Sequence, residues 1–450
     1  MSKIKILSCI ILLVFLGLLG TSLNAQEEET NTPISIEDIK AKAEATDENV
    51  STLLNDVAGL KKIKISGYMQ VEFNKSENNA GFGLNPYDSS NATKNAYSDV
   101  IKERFRIRRA RVKTTFDAGL TQFVLQGDFS NTGFELKDAF MKFTEPWTKY
   151  ISFQAGVFNR PVYEIEYSSS QRESMERSRV VQNLYPKERD LGAMITVSPD
   201  DWFKFQLAAF NNTFKGDLSQ FIPNFGGEPF YYMARLTKEF AIPDLGIGID
   251  IGAHVRIGNV VANTNKVIDS DKNKNTKTDI NKGDRIGKNW FGFEAQLYFD
   301  LPMGFGSGKL LAEYIMGSNV DELTAYPVID TTTALHAAAS AIRKRDFSGF
   351  YVMLVKNITD EFQFAVKYDS YNPNTKIVAG DIIDAADLGY STFGIGIHNY
   401  TFDNCRISVW YDINKRVTSS NNIGTVDKPK LLLPDSPSDN LLTVRFQYKF

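Results

Sequence analysis

Apolar and polar residues alternate along most of this chain with a period of two. In residues 62–73, KIKISGYMQVEF, Ile63, Ile65, Met69, Val71 and Phe73 share one parity; Lys62, Lys64, Ser66, Tyr68, Gln70 and Glu72 share the other. The last residues repeat the pattern, with Leu442, Val444, Phe446, Tyr448 and Phe450 set against Thr443, Arg445, Gln447 and Lys449. Successive side chains of a strand point to opposite faces, so each such stretch predicts a strand with one apolar face. Sixteen stretches follow the rule: 62–75, 102–116, 119–130, 134–144, 149–158, 188–198, 201–212, 229–240, 246–259, 288–301, 308–318, 345–358, 361–373, 389–400, 403–417 and 438–450.

The links between them alternate in length. Long ones span 76–101, 159–187, 213–228, 260–287, 319–344, 374–388 and 418–437, and only the link near 131–133 breaks the rule. A soluble sandwich has no reason to gather its long loops at one end. A transmembrane barrel does, and closure also pairs every strand edge inside lipid. The fold predicted for 62–450 is therefore all-β, a transmembrane antiparallel β-barrel of about 16 strands, wide enough to leave an aqueous channel.

Ahead of the barrel the pattern changes. Residues 1–25 read as a signal peptide: Lys3 and Lys5, an apolar run from Ile6 to Gly20, then small and polar residues to Ala25. Residues 26–61 form an acidic lead, QEEETNT, followed by Ile36, Ile39, Ala43, Thr46, Val50, Leu53, Val57 and Leu60 at 3–4 spacing. That spacing predicts a short N-terminal coiled-coil helix; a single amphipathic helix is the alternative.

Composition narrows the picture. With 51 Lys+Arg against 54 Asp+Glu, the net charge is −3, and the chain holds two cysteines, Cys9 inside the signal peptide and Cys405. The exported part thus has no intrachain disulfide. Against that acidic balance stands RFRIRRARVK, residues 104–113, in which six of ten residues are cationic. Phe105 and Ile107 share one parity and Ala110, Val112 and Phe116 the other, so a β-bulge at Arg108–Arg109 restores one apolar face. The other face then carries Arg104, Arg106, Arg108, Arg109, Arg111 and Lys113 as a lumen-facing track suited to anions. The reverse orientation would cost ~2–4 kcal/mol for each Arg placed in lipid near mid-membrane. Closure of the last strand on the first is expected to gather Lys62, Lys64, Arg445 and Lys449 with Arg111 and Lys113 into a basic vestibule. A bland alternative stays open, in which these cations only balance lumen carboxylates.

Several segments together resemble the phosphate-selective porin O and P family. They are RFRIRRARVK, LKDAFMKF at 136–143, AGVFNRP running into SSSQRESMERS at 155–178, RDLG at 189–192, FSGFYVML at 347–354, VKYDSYNP at 366–373 and the terminal LLTVRFQYKF. The resemblance implies a homotrimeric outer-membrane porin of a Gram-negative bacterium, often anion-selective, with inorganic anions such as phosphate as solutes. Lipid, lipopolysaccharide and the barrel-assembly machinery would be its partners, and Phe450 is similar to the C-terminal aromatic that serves as an assembly signal.

The longest external link, 159–187, is the candidate constriction loop. It carries Arg160, Arg172, Arg177, Arg179 and Lys187, nearly balanced by Glu164, Glu166, Glu173, Glu176 and Glu188. Other chemistries lack their signatures. DSDKNKNTKTD, 269–279, has neither the Gly nor the Glu of an EF-hand loop. His254, His336 and His398 are far apart, with no HExxH and no GxSxG, so no enzyme, cofactor or metal function is expected, and the exported context and strand pattern argue against nucleic acid as the partner of the basic cluster. Deleting residues 34–60 should lower the oligomeric fraction on native gels if the heptads associate, and leave it unchanged if the helix lies alone.

Overall fold

The structure is a computed structural model describing residues 59–77, 103–130, 133–200, 202–211, 230–262, 266–269, 277–301, 306–322, 327–328, 336–337, 342–376, 389–417 and 440–450. The expected signal peptide, nearly all of the coiled-coil helix, and most of 269–279 lie outside the described residues. The barrel strands are β1 (Ile63–Ser76), β2 (Glu103–Asp117), β3 (Thr121–Ser130), β4 (Gly133–Thr144), β5 (Ile151–Asn159), β6 (Arg189–Val197), β7 (Lys204–Phe210) and β8 (Tyr231–Ile242). They continue as β9 (Ile247–Ile257), β10 (Asn289–Leu301), β11 (Gly306–Glu322), β12 (Ile342–Asn357), β13 (Phe362–Asn372), β14 (Gly389–Asn399), β15 (Cys405–Val417) and β16 (Leu441–Lys449).

Each strand pairs antiparallel with the next, and β16 returns to β1 to close the ring. Every stretch expected from alternation is a strand, with ends displaced by a few residues. The largest displacement is at β11, which runs on to Glu322. The 160–188 link carries two short helices, α1 (Tyr163–Glu166) and α2 (Arg179–Leu184).

The two faces differ as the alternation requires. Each of the sixteen strands exposes at least one large apolar side chain, among them Phe105, Phe153, Leu207, Phe293, Leu354 and Phe446. An apolar surface that continuous is covered by bilayer hydrocarbon. Inward positions are polar and buried: on β1 these are Tyr68, Gln70, Glu72 and Asn74.

At one end the strands turn tightly. Gly119, Lys149, Asp200, Gly246 and Asn404 all have positive φ there, a conformation that Gly, Asn and Asp reach at least cost. The closure is sealed by the C-terminus. Phe450 and Gly67 exchange two backbone hydrogen bonds of 3.0 Å, and the Phe450 ring covers Gly67 so closely that a Cβ would stand 2.6 Å from it.

Phe293→Arg places a guanidinium on the outward face of β10 and should destabilise the folded barrel by about 2–4 kcal/mol near mid-bilayer. Urea titration in lipid vesicles reads this directly.

Candidate functional site in the barrel lumen

The β1–β2 register places the cationic track. Gln70 faces Arg109 and Val71 faces Ile107, so Arg108 is the extra residue of a bulge, where the parity break puts it. Phe105, Ile107, Val112 and Phe116 are exposed on the outer face, while Arg109 and Arg111 are buried within the barrel.

These arginines are not free. Glu72 stands opposite Arg106 on one side and Arg445 on the other, and bonds both: Arg106 Nε donates at 2.8 Å and Arg445 Nε at 2.7 Å. Arg108 donates through Nε (2.7 Å) and Nη2 (2.8 Å) to the two oxygens of Glu176, a bidentate fork. Arg109 donates to Gln70 at 3.1 Å and lies 3.9 Å from Glu176. Arg111 donates to Asp128 at 2.8 Å and to Ser169 at 3.1 Å. Arg104 donates to Asn74 at 3.4 Å. Lys113 is half-buried opposite Ser66 and Gln126.

The basic vestibule does not assemble as expected. Arg445 lies beside Glu72, and Lys449 beside Tyr68, because β16 ends at that level and leaves the start of β1 paired only with β2. Lys64 instead faces Thr115, and Lys62 sits in the turn before β1; both are exposed. The six cations are thus strung along the strands and not gathered. Phe450 occupies the closure described above.

The segment 160–188 lies inside the barrel and touches strands on all sides. Its Ser169 and Ser170 bond β1, β2 and β16, while Glu166 accepts from Arg235 of β8 at 2.6 Å. Tyr167 accepts from Lys309 of β11, Glu164 from Lys367 of β13 at 3.3 Å, and Arg179 donates to Thr392 of β14 at 3.1 Å. On one side Val162, Ile165, Val180, Val181 and Leu184 pack on Phe158, Trp290 and Phe347.

Most cations of this segment are matched. Arg160 pairs with Asp190 at 2.9 Å, Arg177 with Glu188, and Lys187, exposed, with Glu135 at 3.2 Å. Arg179 also donates to Asn414 at 2.7 Å. Arg172 differs. It is 1% exposed, and none of its three guanidinium nitrogens has a hydrogen-bond partner. Burial, with Arg177 nearby, lowers its pKa only to about 10, so it is cationic at neutral pH.

Sequence reasoning missed a second bulge. Gln126 faces Asp138 and Gly127 faces Leu136, so Lys137 is the extra residue of β4. The bulge turns Asp138 inward, where it accepts from Arg189 at 2.6 Å, and Arg189 in turn bonds Glu188 at 2.6 Å. The signal was present as the same parity break, Phe134 and Leu136 followed by Ala139, Met141 and Phe143.

No protein-family model and no curated protein matches the chain. Among solved structures it is similar to OprB of Pseudomonas putida, with a TM-score of 0.51 and 10% identity over 89% of this chain and 96% of that one. It is also similar to the outer-membrane channel DcaP of Acinetobacter baumannii, with a TM-score of 0.50 and 13% identity over 86% of this chain and 97% of that one. At such identities the likeness is one of fold. The resemblance to the phosphate-selective family rests on the residues alone.

Burial raises the pKa of Glu176, but Arg108, with Arg109 and Arg106, holds it well below the ordinary carboxylate value; Arg177 and Arg189 do the same for Glu188. Depressed carboxylate pKa values stabilise above the ordinary value and lose that contribution as pH falls through the folded one. Protection of segment 160–188 from proteolysis should therefore hold from neutral pH down through 4.5, the ordinary glutamate value, and fail only well below it. Glu176→Gln leaves the half-buried Arg108 without its counter-charge and should weaken docking by about 1–3 kcal/mol, seen as faster cleavage in this segment.

Proposed function

We propose that the chain is an outer-membrane porin of a Gram-negative bacterium, giving passive diffusion to small solutes with a preference for anions. The observation that carries the preference is the charge buried inside the barrel. Among the described residues, thirteen buried Arg and Lys side chains stand against nine buried Asp and Glu, in a chain whose net charge is −3. An ion in the lumen is governed by the lining and not by the sum over the chain.

The track Arg104–Lys113 is largely compensated by Glu72, Glu176 and Asp128, so its share of the preference is small. Arg172 contributes more, because its planar donors are unspent and a guanidinium can hold two oxygens of one oxyanion. Phosphate is one such oxyanion, and the resemblance to the phosphate-selective family supports it as solute. Release matters as much as capture, and a row of weak sites conducts better than one deep trap. In this reading the long links face outward, the N-terminal helix lies in the periplasm, and three chains assemble. Phe450 serves as the assembly signal read by the barrel-assembly machinery, and the outer band contacts lipid and lipopolysaccharide.

A second reading, a closed structural barrel, is favoured by one observation: segment 160–188 packs an apolar cluster into the lumen and bonds strands all round. A general, non-selective porin is the third. Liposome swelling with small sugars separates open from closed. Planar-bilayer reversal potentials under a KCl gradient then decide selectivity. We expect anion preference in the parent, a shift toward zero in Arg172→Gln, and competitive block by phosphate. A cation-selective parent would refute the anion reading.

A further inference from the structure

Beside segment 160–188, three potential metal ligands converge on the inner wall. His254 of β9, Glu294 of β10 and Glu313 of β11 are each at most 4% exposed, and one ligand atom from each lies within 4.8 Å of the others. The register explains the meeting. Glu294 faces Glu313 directly, and His254 faces Gly292, two residues along the same face of β10 from Glu294. Glycine opposite the ring is required there: a Cβ on Gly292 would stand 2.3 Å from His254 Cε1. Gly252 faces Glu294, and a Cβ there would stand 2.6 Å from Glu294 Oε1. The two glycines let the imidazole and the carboxylate lean across the strands toward one another.

Five polar atoms of this cluster are buried with no hydrogen-bond partner: both ring nitrogens of His254, both oxygens of Glu313, and Glu294 Oε2. Such groups are costly to bury unmatched. The cations nearby are already engaged. Arg235 of β8 spends its donors on Glu294 Oε1 (2.6 Å) and Glu166 (2.6 Å), and Lys204 of β7 lies 3.7 Å from Glu166. Glu164 of segment 160–188 lies beside Glu313.

We infer that His254, Glu294 and Glu313 form a binding site for a first-row divalent transition ion, with zinc the best-matched probe. One imidazole and two carboxylates suit zinc and its neighbours, whereas calcium takes six to eight oxygens and has no use for imidazole. Ligand atoms on one tetrahedral zinc stand about 3.3 Å apart, so donors within 4.8 Å of one another need close by at most about 1.5 Å. The ligands come from three strands at wide sequence spacing, which hides the site from any motif. All three ligands belong to strands of the barrel wall.

The test uses the untagged chain folded into detergent micelles with Zn2+, desalted and analysed by elemental mass spectrometry. One equivalent of zinc per chain is expected. His254→Gln and Glu313→Gln, checked for a folded barrel by heat-modifiable migration, should each bind at least tenfold more weakly, while His398→Gln keeps the parent affinity. Less than a tenth of an equivalent in the parent overturns the assignment, as does full retention in both ligand variants. If the variants fail to fold, Co2+ absorption of the parent decides: intense d–d bands of a low-coordinate nitrogen and oxygen site support it, and the spectrum of the aquo ion refutes it.

Discussion

Closure of β16 onto β1 is the constraint from which the interior follows. A sheet edge has no partner in lipid, so the last strand must find the first, and the apolar band sets which residues meet. Once Val71 is level with Phe446, Glu72 is level with Arg445 on one side and Arg106 on the other. That carboxylate occupies both guanidinium groups, leaving Arg108, thrown inward by the bulge, to seek a counter-charge elsewhere. It finds Glu176, and with it the in-folded segment. Backbone closure, bulge and plug are thus links of one chain of cause.

The interior that results is charged yet mostly compensated. Pairs buried in this way bind segment 160–188 to the wall as register pins, each costly to break singly, more than as net sources of stability. Apolar packing of α1 and α2 on Phe158, Trp290 and Phe347 holds the other side. Among the described residues, the guanidinium of Arg172 on the segment, and His254 and Glu313 with Glu294 Oε2 on the wall, have no hydrogen-bond partner. As proposed above, the first would hold an anion and the second a cation, two opposite demands within one lumen.

The β-barrel, its sixteen strands and the bulge at Arg108 were legible in residues 62–450, because period-two alternation and the cost of arginine in lipid are local rules. The bulge at Lys137 obeyed the same rule and was overlooked. The vestibule depends on a longer-range quantity. Parity says which face a lysine takes, but not how far β16 reaches along β1, and that offset sent Arg445 to Glu72 and Lys449 to Tyr68.

By itself, then, the sequence determined the fold class and the inward or outward sense of each strand residue, since both depend on neighbours one or two positions away. Only the tertiary structure decided which charges neutralise which. Glu176 meets Arg108 across 68 positions, and Lys367 meets Glu164 across 203. Pairing at such separations depends on register and on the path of an in-folded loop, and Coulomb energy falls with distance in space, not along the chain.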